Sequence, residues 1–211
     1  MSWALVWQHL FMVFVAVVLS LAVGLPLGVA SYLYPKARRF ILWVVDLFQT
    51  IPSLALLGII MVFLGAGKQT VIFGLTLYSL LPIVRNTYLG LVEVEPGLKE
   101  AARGMGMSSG YQLLHVELPL ASPMIFTGIR IAAVNAVGTA VFAVFVGGGG
   151  LGSILYNGIR IQNMLLILKG TAALMVMAVA FDFTMSRVEA ILNQRANGRK
   201  RVPARVRRKG V

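Results

Sequence analysis

The 211-residue chain contains no cysteine. This excludes disulfides, thiol nucleophiles and cysteine-ligated metals. The two histidines, His9 and His115, lie far apart in the chain, so no histidine metal site is expected. Charged residues make up only 12% of the chain, about half the ~25% of a soluble domain. No G-x-x-x-x-G-K-[ST] run is present, so the chain offers no P-loop for ATP. No carboxylate pair sits in an enzyme-like setting, and no internal repeat is visible. These absences point away from an enzyme: no catalytic residue, cofactor or metal ligand is assigned.

What remains is strongly apolar. Hydrophobic residues are 58% of the chain, and the mean hydropathy is +0.85. A helical membrane span needs ~20 apolar residues. The sequence predicts an all-α integral membrane protein with five spans, about 9–34, 40–64, 70–91, 121–146 and 164–188, forming one membrane domain over 1–192. The first apolar run is too long for a signal-peptide core and lacks a basic flank before it, so a retained span is expected. Gly24, Pro26 and Gly28 interrupt the first span, Pro52 the second and Pro82 the third. They predict bent helices, either for packing alone or to line a pathway.

Charge sets the expected orientation. Lys36, Arg38 and Arg39 follow the first span, while Arg85, Lys99 and Arg103 lie in or near the segment after the third. Nine basic residues lie from Arg187 onward. The positive-inside rule then places the N-terminus outside and the C-terminus in the cytoplasm. The basic tail over 193–211 has almost no apolar content and is punctuated by Asn197, Gly198 and Pro203, so disorder is expected. It lacks interleaved aromatics, which favours anionic lipid over nucleic acid as its partner.

Between the third and fourth spans lies a polar loop, about 93–119. It contains Glu100-Ala101-Ala102, three residues, Gly106, nine residues, then Val116-Glu117-Leu118-Pro119. Pro96 can open a helix, where its missing N–H costs nothing. Gly104 and Gly106 break that helix. Ser109 and Gln112 have the spacing of a capping box for a second short helix, and Pro119 is expected to end it.

Two other runs imitate chemistry. Gly106-Met107-Ser108-Ser109-Gly110 matches G-x-S-x-G, but that motif works only on a strand–turn–helix elbow with a base on the serine. Gly147 to Gly152 contains G-x-G-x-x-G, yet dinucleotide binding needs it between a strand and a helix. Following a membrane span, it reads as a tight bend with close backbone approach.

The loop resembles the cytoplasmic docking loop of permease subunits of binding-protein-dependent ABC importers. Their pattern is Glu-Ala-Ala, three residues, Gly, nine residues, Ile, one residue, Leu-Pro, and only Val116 departs from it. The resemblance extends over about 10–192. Gln49 to Gly58, Leu81 to Thr87, Glu100 to Met107 and Gly149 to Gly152 are similar to the osmoprotectant branch, which imports glycine betaine, carnitine, choline and related solutes. It implies the type I importer permease fold in a bacterial inner membrane. It also implies a second permease subunit, the same or related, and two ATPase subunits docking at Glu100, Ala101, Ala102, Gly106, Leu118 and Pro119. A separate extracytoplasmic solute-binding protein completes the set. A methionine-type or other amino-acid permease would share the fold and loop. A secondary carrier or channel is the alternative of another class, but it would leave the loop unexplained.

Quaternary ammonium ions are often held by aromatic cages. The membrane part carries scattered aromatics, Tyr78, Phe142, Phe145 and Tyr156, most of them expected to pack helices, and no solute contact is assigned. Four ionisable residues fall inside the spans: Asp46, Arg85, Arg130 and Asp182. Each lies about 9–14 Å from the cytoplasmic end at the helical rise. Charges at that depth are costly, and two acids with two bases suggest pairs, Asp46–Arg85 and Arg130–Asp182 among them, holding an inner gate. The alternative is that the arginines snorkel and the aspartates meet water or backbone.

Overall fold

The computed structural model describes residues 3–200, with side chains to residue 191. The described elements are helical: α1 Trp3–Leu33, α2 Pro35–Thr50, α3 Ser53–Leu64, α4 Lys68–Val92, α5 Pro96–Gly104, α6 Ser109–Gln112, α7 Leu118–Thr139, α8 Gly152–Arg160 and α9 Met164–Lys200. A π-helical turn, Leu113–Glu117, joins α6 to α7, and a 3₁₀ segment, Ala140–Val146, extends α7.

By length and composition three stretches can cross a membrane: Trp3–Leu33, Ser109–Val146 and Met164–Ile191. The bent pair α2 and α3 makes a fourth if taken as one span. The second expected span is therefore not a single helix, because its two halves meet at 100°. The cause is local. Ile51 precedes a proline and is forced to extended backbone, with φ −76° and ψ 127°. Pro52 brings no N–H to continue the ladder.

Elsewhere the expected interruptions do not interrupt. α1 runs through Pro26 and α4 through Pro82. Pro82 cannot donate to the carbonyl of Tyr78, one turn earlier, but Gln49 Nε2 donates to that oxygen at 2.6 Å. The Tyr78 hydroxyl in turn donates to the Ile51 carbonyl at the α2–α3 break. Each proline-damaged helix thus receives a hydrogen bond from the other.

α4 is the central helix, packed most extensively against α1 and α7. Small residues permit this closeness. A Cβ on Gly28 would stand 2.5 Å from Thr87 Cβ, and one on Gly128 would stand 2.6 Å from the Pro82 carbonyl oxygen. The largest buried cluster, including Met12, Val13, Leu57, Leu75 and Val137, joins α1, α3, α4 and α7. A second, with Leu91, Val94, Ala121 and Ile125, joins the end of α4 to α7 and is flanked by Leu25, Val29 and Tyr32 of α1. α9 is mostly exposed, with apolar side chains such as Leu168, Val176 and Phe183 outward.

Pro119 does not end a helix as expected. It sits in the first turn of α7, directly after the π turn, and the run Ser109–Val146 is continuous. A widened turn is one way to seat a proline whose ring would otherwise crowd the carbonyl four residues back. The expected disordered tail also differs in part. α9 continues to Lys200, and 201–211 lie outside the described residues.

The glycine run is the tight bend foreseen. Gly147, Gly149 and Gly150 have φ of 74°, 77° and 80°. At Gly152 a Cβ would lie 2.0 Å from the Val141 carbonyl oxygen, which no rotamer can relieve. Gly152→Ala should therefore destabilise the purified protein by about 1–3 kcal/mol, the usual range for overpacking. Gly58→Ala, inside α3 where a Cβ meets nothing within 4 Å, should not destabilise it and should add the usual helix gain of about 0.5–1 kcal/mol. Thermal unfolding in detergent measures both, and equal midpoints would remove this close approach as a constraint.

Candidate functional site

α5 starts with Pro96 in its first turn and stops at Gly104, and Gly106 at φ 80° makes the bend that follows. On the surface so formed Glu100, Ala101 and Gly106 are exposed, while Leu118 and Pro119 are partly buried. Ala102 is 1% exposed. The expectation that it faces a partner is corrected: it seats α5 on the helices behind. Met105, Tyr111 and Leu114 are exposed around the same bend, apolar side chains that the motif did not single out. The Tyr111 and His115 rings stack at 3.9 Å.

The capping box does not form. Ser108 rather than Ser109 precedes α6, and it makes no side-chain cap bond. Gln112 turns inward instead and donates from Nε2 to Glu117 Oε1 at 2.7 Å. Glu117, 5% exposed, is the hub of a polar node that the sequence reading passed over. Tyr32 of α1 donates its hydroxyl proton to Glu117 Oε2 at 2.6 Å. Lys99 of α5 donates to the Tyr32 oxygen at 3.1 Å and to the Leu91 carbonyl of α4 at 2.9 Å. Its Nζ lies 4.0 Å from Glu117 Oε2 and 5.0 Å from the centre of the Tyr32 ring. Five elements, α1, α4, α5, α6 and the π turn leading into α7, meet in this node. Its one available signal was an acid between two hydrophobic residues before a Leu-Pro, which looks like an ordinary loop charge.

The ionisable residues of the spans are brought together in two groups. Arg85 Nη2 reaches both Asp46 oxygens, at 3.0 and 3.2 Å. Arg130 Nε donates to Asp182 Oδ1 at 2.9 Å. The same guanidinium donates from Nη1 to Glu189 Oε2 at 2.8 Å, and Thr127 donates to the other Glu189 oxygen at 2.6 Å. Glu189 was missed because the fifth span was ended at 188. It stands seven residues after Asp182, two turns along one face, which is the signal that would have found it. These charges are not buried as expected: Arg85 and Asp46 side chains are 52% and 41% exposed in the single chain. Among the described residues no cluster of His, Asp or Glu fits a metal.

The family model described as "Binding-protein-dependent transport system inner membrane component" matches residues 20–198. The carnitine transport permease protein OpuCB of Listeria monocytogenes is 40% identical over 90% of this chain and 87% of its own. The osmoprotectant import permease protein OsmW of Salmonella typhimurium is 38% identical over 90% of each. Among solved structures, an inward-facing MetNI methionine ABC transporter chain superposes with a TM-score of 0.82 at 29% identity. That likeness covers 91% of this chain and 99% of the other.

The node gives a prediction independent of any partner. Glu117→Gln keeps the shape but removes the charge that Tyr32 and Lys99 share. Losing charge-assisted bonds costs about 1–3 kcal/mol. Amide exchange over 96–106 should then accelerate by roughly ten-fold or more, while α3 amides are unchanged. Exchange over α5 equal to that of the unaltered protein would show that the node does not hold it.

Proposed function

Because the chain belongs to the family of binding-protein-dependent transport system inner membrane components, we propose that it imports a compatible solute of the glycine betaine, carnitine and choline class. It is a permease subunit, a transport component rather than an enzyme, and ATP hydrolysis resides on a separate subunit. The names of relatives at 38–40% identity support the solute class. The methionine reading rests on a likeness at 29% identity and is the weaker one.

The observation that carries the mechanism is α5, which exposes Glu100 and Ala101 outward and anchors Lys99 and Ala102 inward. The ATPase docks on Glu100, Ala101 and Gly106, with Met105, Tyr111 and Leu114 adding apolar contact around the charge. Leu118 and Pro119 stand behind this surface, where the π turn enters α7. Two ATPase subunits serve two permeases, and a binding protein delivers solute from outside. α4 is the fifth crossing segment: its 25 residues reach across a bilayer core. Its polar side chains are tolerated because it is wrapped by its neighbours. The N-terminus lies outside and the docking loop in the cytoplasm, as the basic residues favour. The ion pairs Asp46–Arg85 and Arg130–Asp182, with Glu189, form the inner gate, opened when ATP binding draws the docking loops together.

Gly106→Val tests the docking surface. Nothing stands within 4 Å of a Cβ there, but the positive φ disfavours a β-branched residue. The variant should reach the membrane yet lose solute-stimulated ATP hydrolysis and uptake by at least ten-fold. Normal uptake would exclude the bend from coupling. A double-mutant cycle tests the gate: Asp46→Asn and Arg85→Gln should each impair uptake, and the double variant should be no worse than either. Strictly additive losses would show that the two charges act apart.

A further inference from the structure

A hollow of about 360 Å³ opens between the α2–α3 break, α4 and the end of α7. Gln49, Tyr78, Ser79, Asn135, Thr139 and Phe142 supply its polar and aromatic wall. None of the nine residues lining it carries a charge at neutral pH. The volume lies within the range of small-molecule sites, ~300–1,000 Å³.

Its place along the helices is informative. Asp46 precedes Gln49 by about one turn of α2, and Arg85 follows Ser79 by about two turns of α4. Arg130 precedes Asn135 by more than one turn of α7. The end of α4 and the start of α7 lead to the docking helices. Asp46, Arg85 and Arg130 therefore lie on the docking side of the hollow, and the wall of the hollow carries no charged side chain.

Its groups are also held in place. Gln49 donates to the Tyr78 carbonyl, and the Tyr78 hydroxyl is committed to the Ile51 carbonyl. A primary ammonium group carries three N–H donors and a full charge that a carboxylate matches best, and this wall has no carboxylate. A trimethylated nitrogen carries no N–H donor at all. It is met by aromatic rings, through cation–π attraction. Amide and hydroxyl groups suit the carboxylate of the same molecule. A neutral wall matches a ligand of zero net charge.

We propose that this hollow is a transient binding site for a zwitterionic quaternary ammonium solute within the permease. Tyr78 and Phe142 receive the methylated cation, and Asn135, Ser79 and Thr139 receive the carboxylate. The proposal rests on the osmoprotectant reading above and adds that the permease itself discriminates among solutes.

The test uses the permease–ATPase complex in nanodiscs without binding protein, probed with radiolabelled glycine betaine, and the same complex in proteoliposomes with binding protein for uptake. Weak saturable binding is expected. Carnitine should compete, choline should compete less well for want of a carboxylate, and methionine should not. Phe142→Ala should weaken binding roughly ten-fold, as loss of a desolvated cation–π contact implies. Phe142→Trp should stay within about three-fold, and it carries the test if the alanine variant fails to assemble. If the unaltered complex imports glycine betaine but binds none, or if Phe142→Ala matches it in both assays, the site is refuted and the osmoprotectant reading stands. Failure of Phe142→Trp to bind while the complex still assembles also refutes it. Import of methionine in place of betaine overturns both.

Discussion

The exchange of hydrogen bonds between the α2–α3 break and α4 is the interaction on which the rest of the arrangement depends. In a bilayer an unpaired backbone N–H or C=O has no water to turn to, and each costs several kcal/mol. Pro52 and Pro82 both create such groups. Gln49 takes the carbonyl stranded by Pro82, and Tyr78 takes one at the break before Pro52. These two side chains tie the 100° break to the central helix. Because the chain turns there, a concavity rather than a packed seam is left between α2, α4 and α7.

Close helix approach then carries this geometry toward the loop between α4 and α7. Between helices in lipid the hydrophobic effect supplies little, and dispersion contact between small residues takes its place. α4 meets α1 at Gly28 and α7 at Gly128 with almost no gap. A displacement of any one of the three is therefore felt by the other two. Beside the loop the same three helices are tied to α5 through Lys99, Tyr32 and Glu117. The contact is polar and nearly dry, so it is directional as well as strong. A push on α5 is thus delivered to α1, α4 and α7 together rather than to one helix end.

The sequence was most legible where one residue type permits few conformations. Pro96 opens α5, and Gly106, Gly147, Gly149 and Gly150 have positive φ, as their positions in the loop and the bend required. Charge parity suggested partners for Asp46, Arg85, Arg130 and Asp182, and the structure sets those pairs in contact. It was least legible where a choice depends on a distant element. Gln112 has capping-box spacing, but a buried glutamate five residues on offers it a charge-assisted bond. Pro119 reads as a stop, yet a π turn before it lets the helix continue. Ala102 fits an interface by size, but the helix phase that exposes Glu100 and Ala101 turns it inward. The break in the second span was marked by Pro52, but not its angle, because the partners that stabilise it come from α4.

The ion pairs bear on what surrounds a single chain. Arg85 and Asp46 remain about half exposed, and Asp182 is 47% exposed, on segments that otherwise present apolar side chains. An ionic face of this kind is poorly placed against hydrocarbon, where charges cost at least ~2.5–3.5 kcal/mol at a helix centre. A water-filled path or a second permease on that face would satisfy it, whereas the apolar flank of α9 suits lipid. The neutral hollow and the Asp46–Arg85 pair share two helices, α2 and α4. A solute of zero net charge would meet no strong field until it reached the pairs, and the pairs lie on helices that lead to the loop proposed to receive the ATPase. Selection by the hollow and release by the charges would thereby be separate steps along one path, each answerable to different residues.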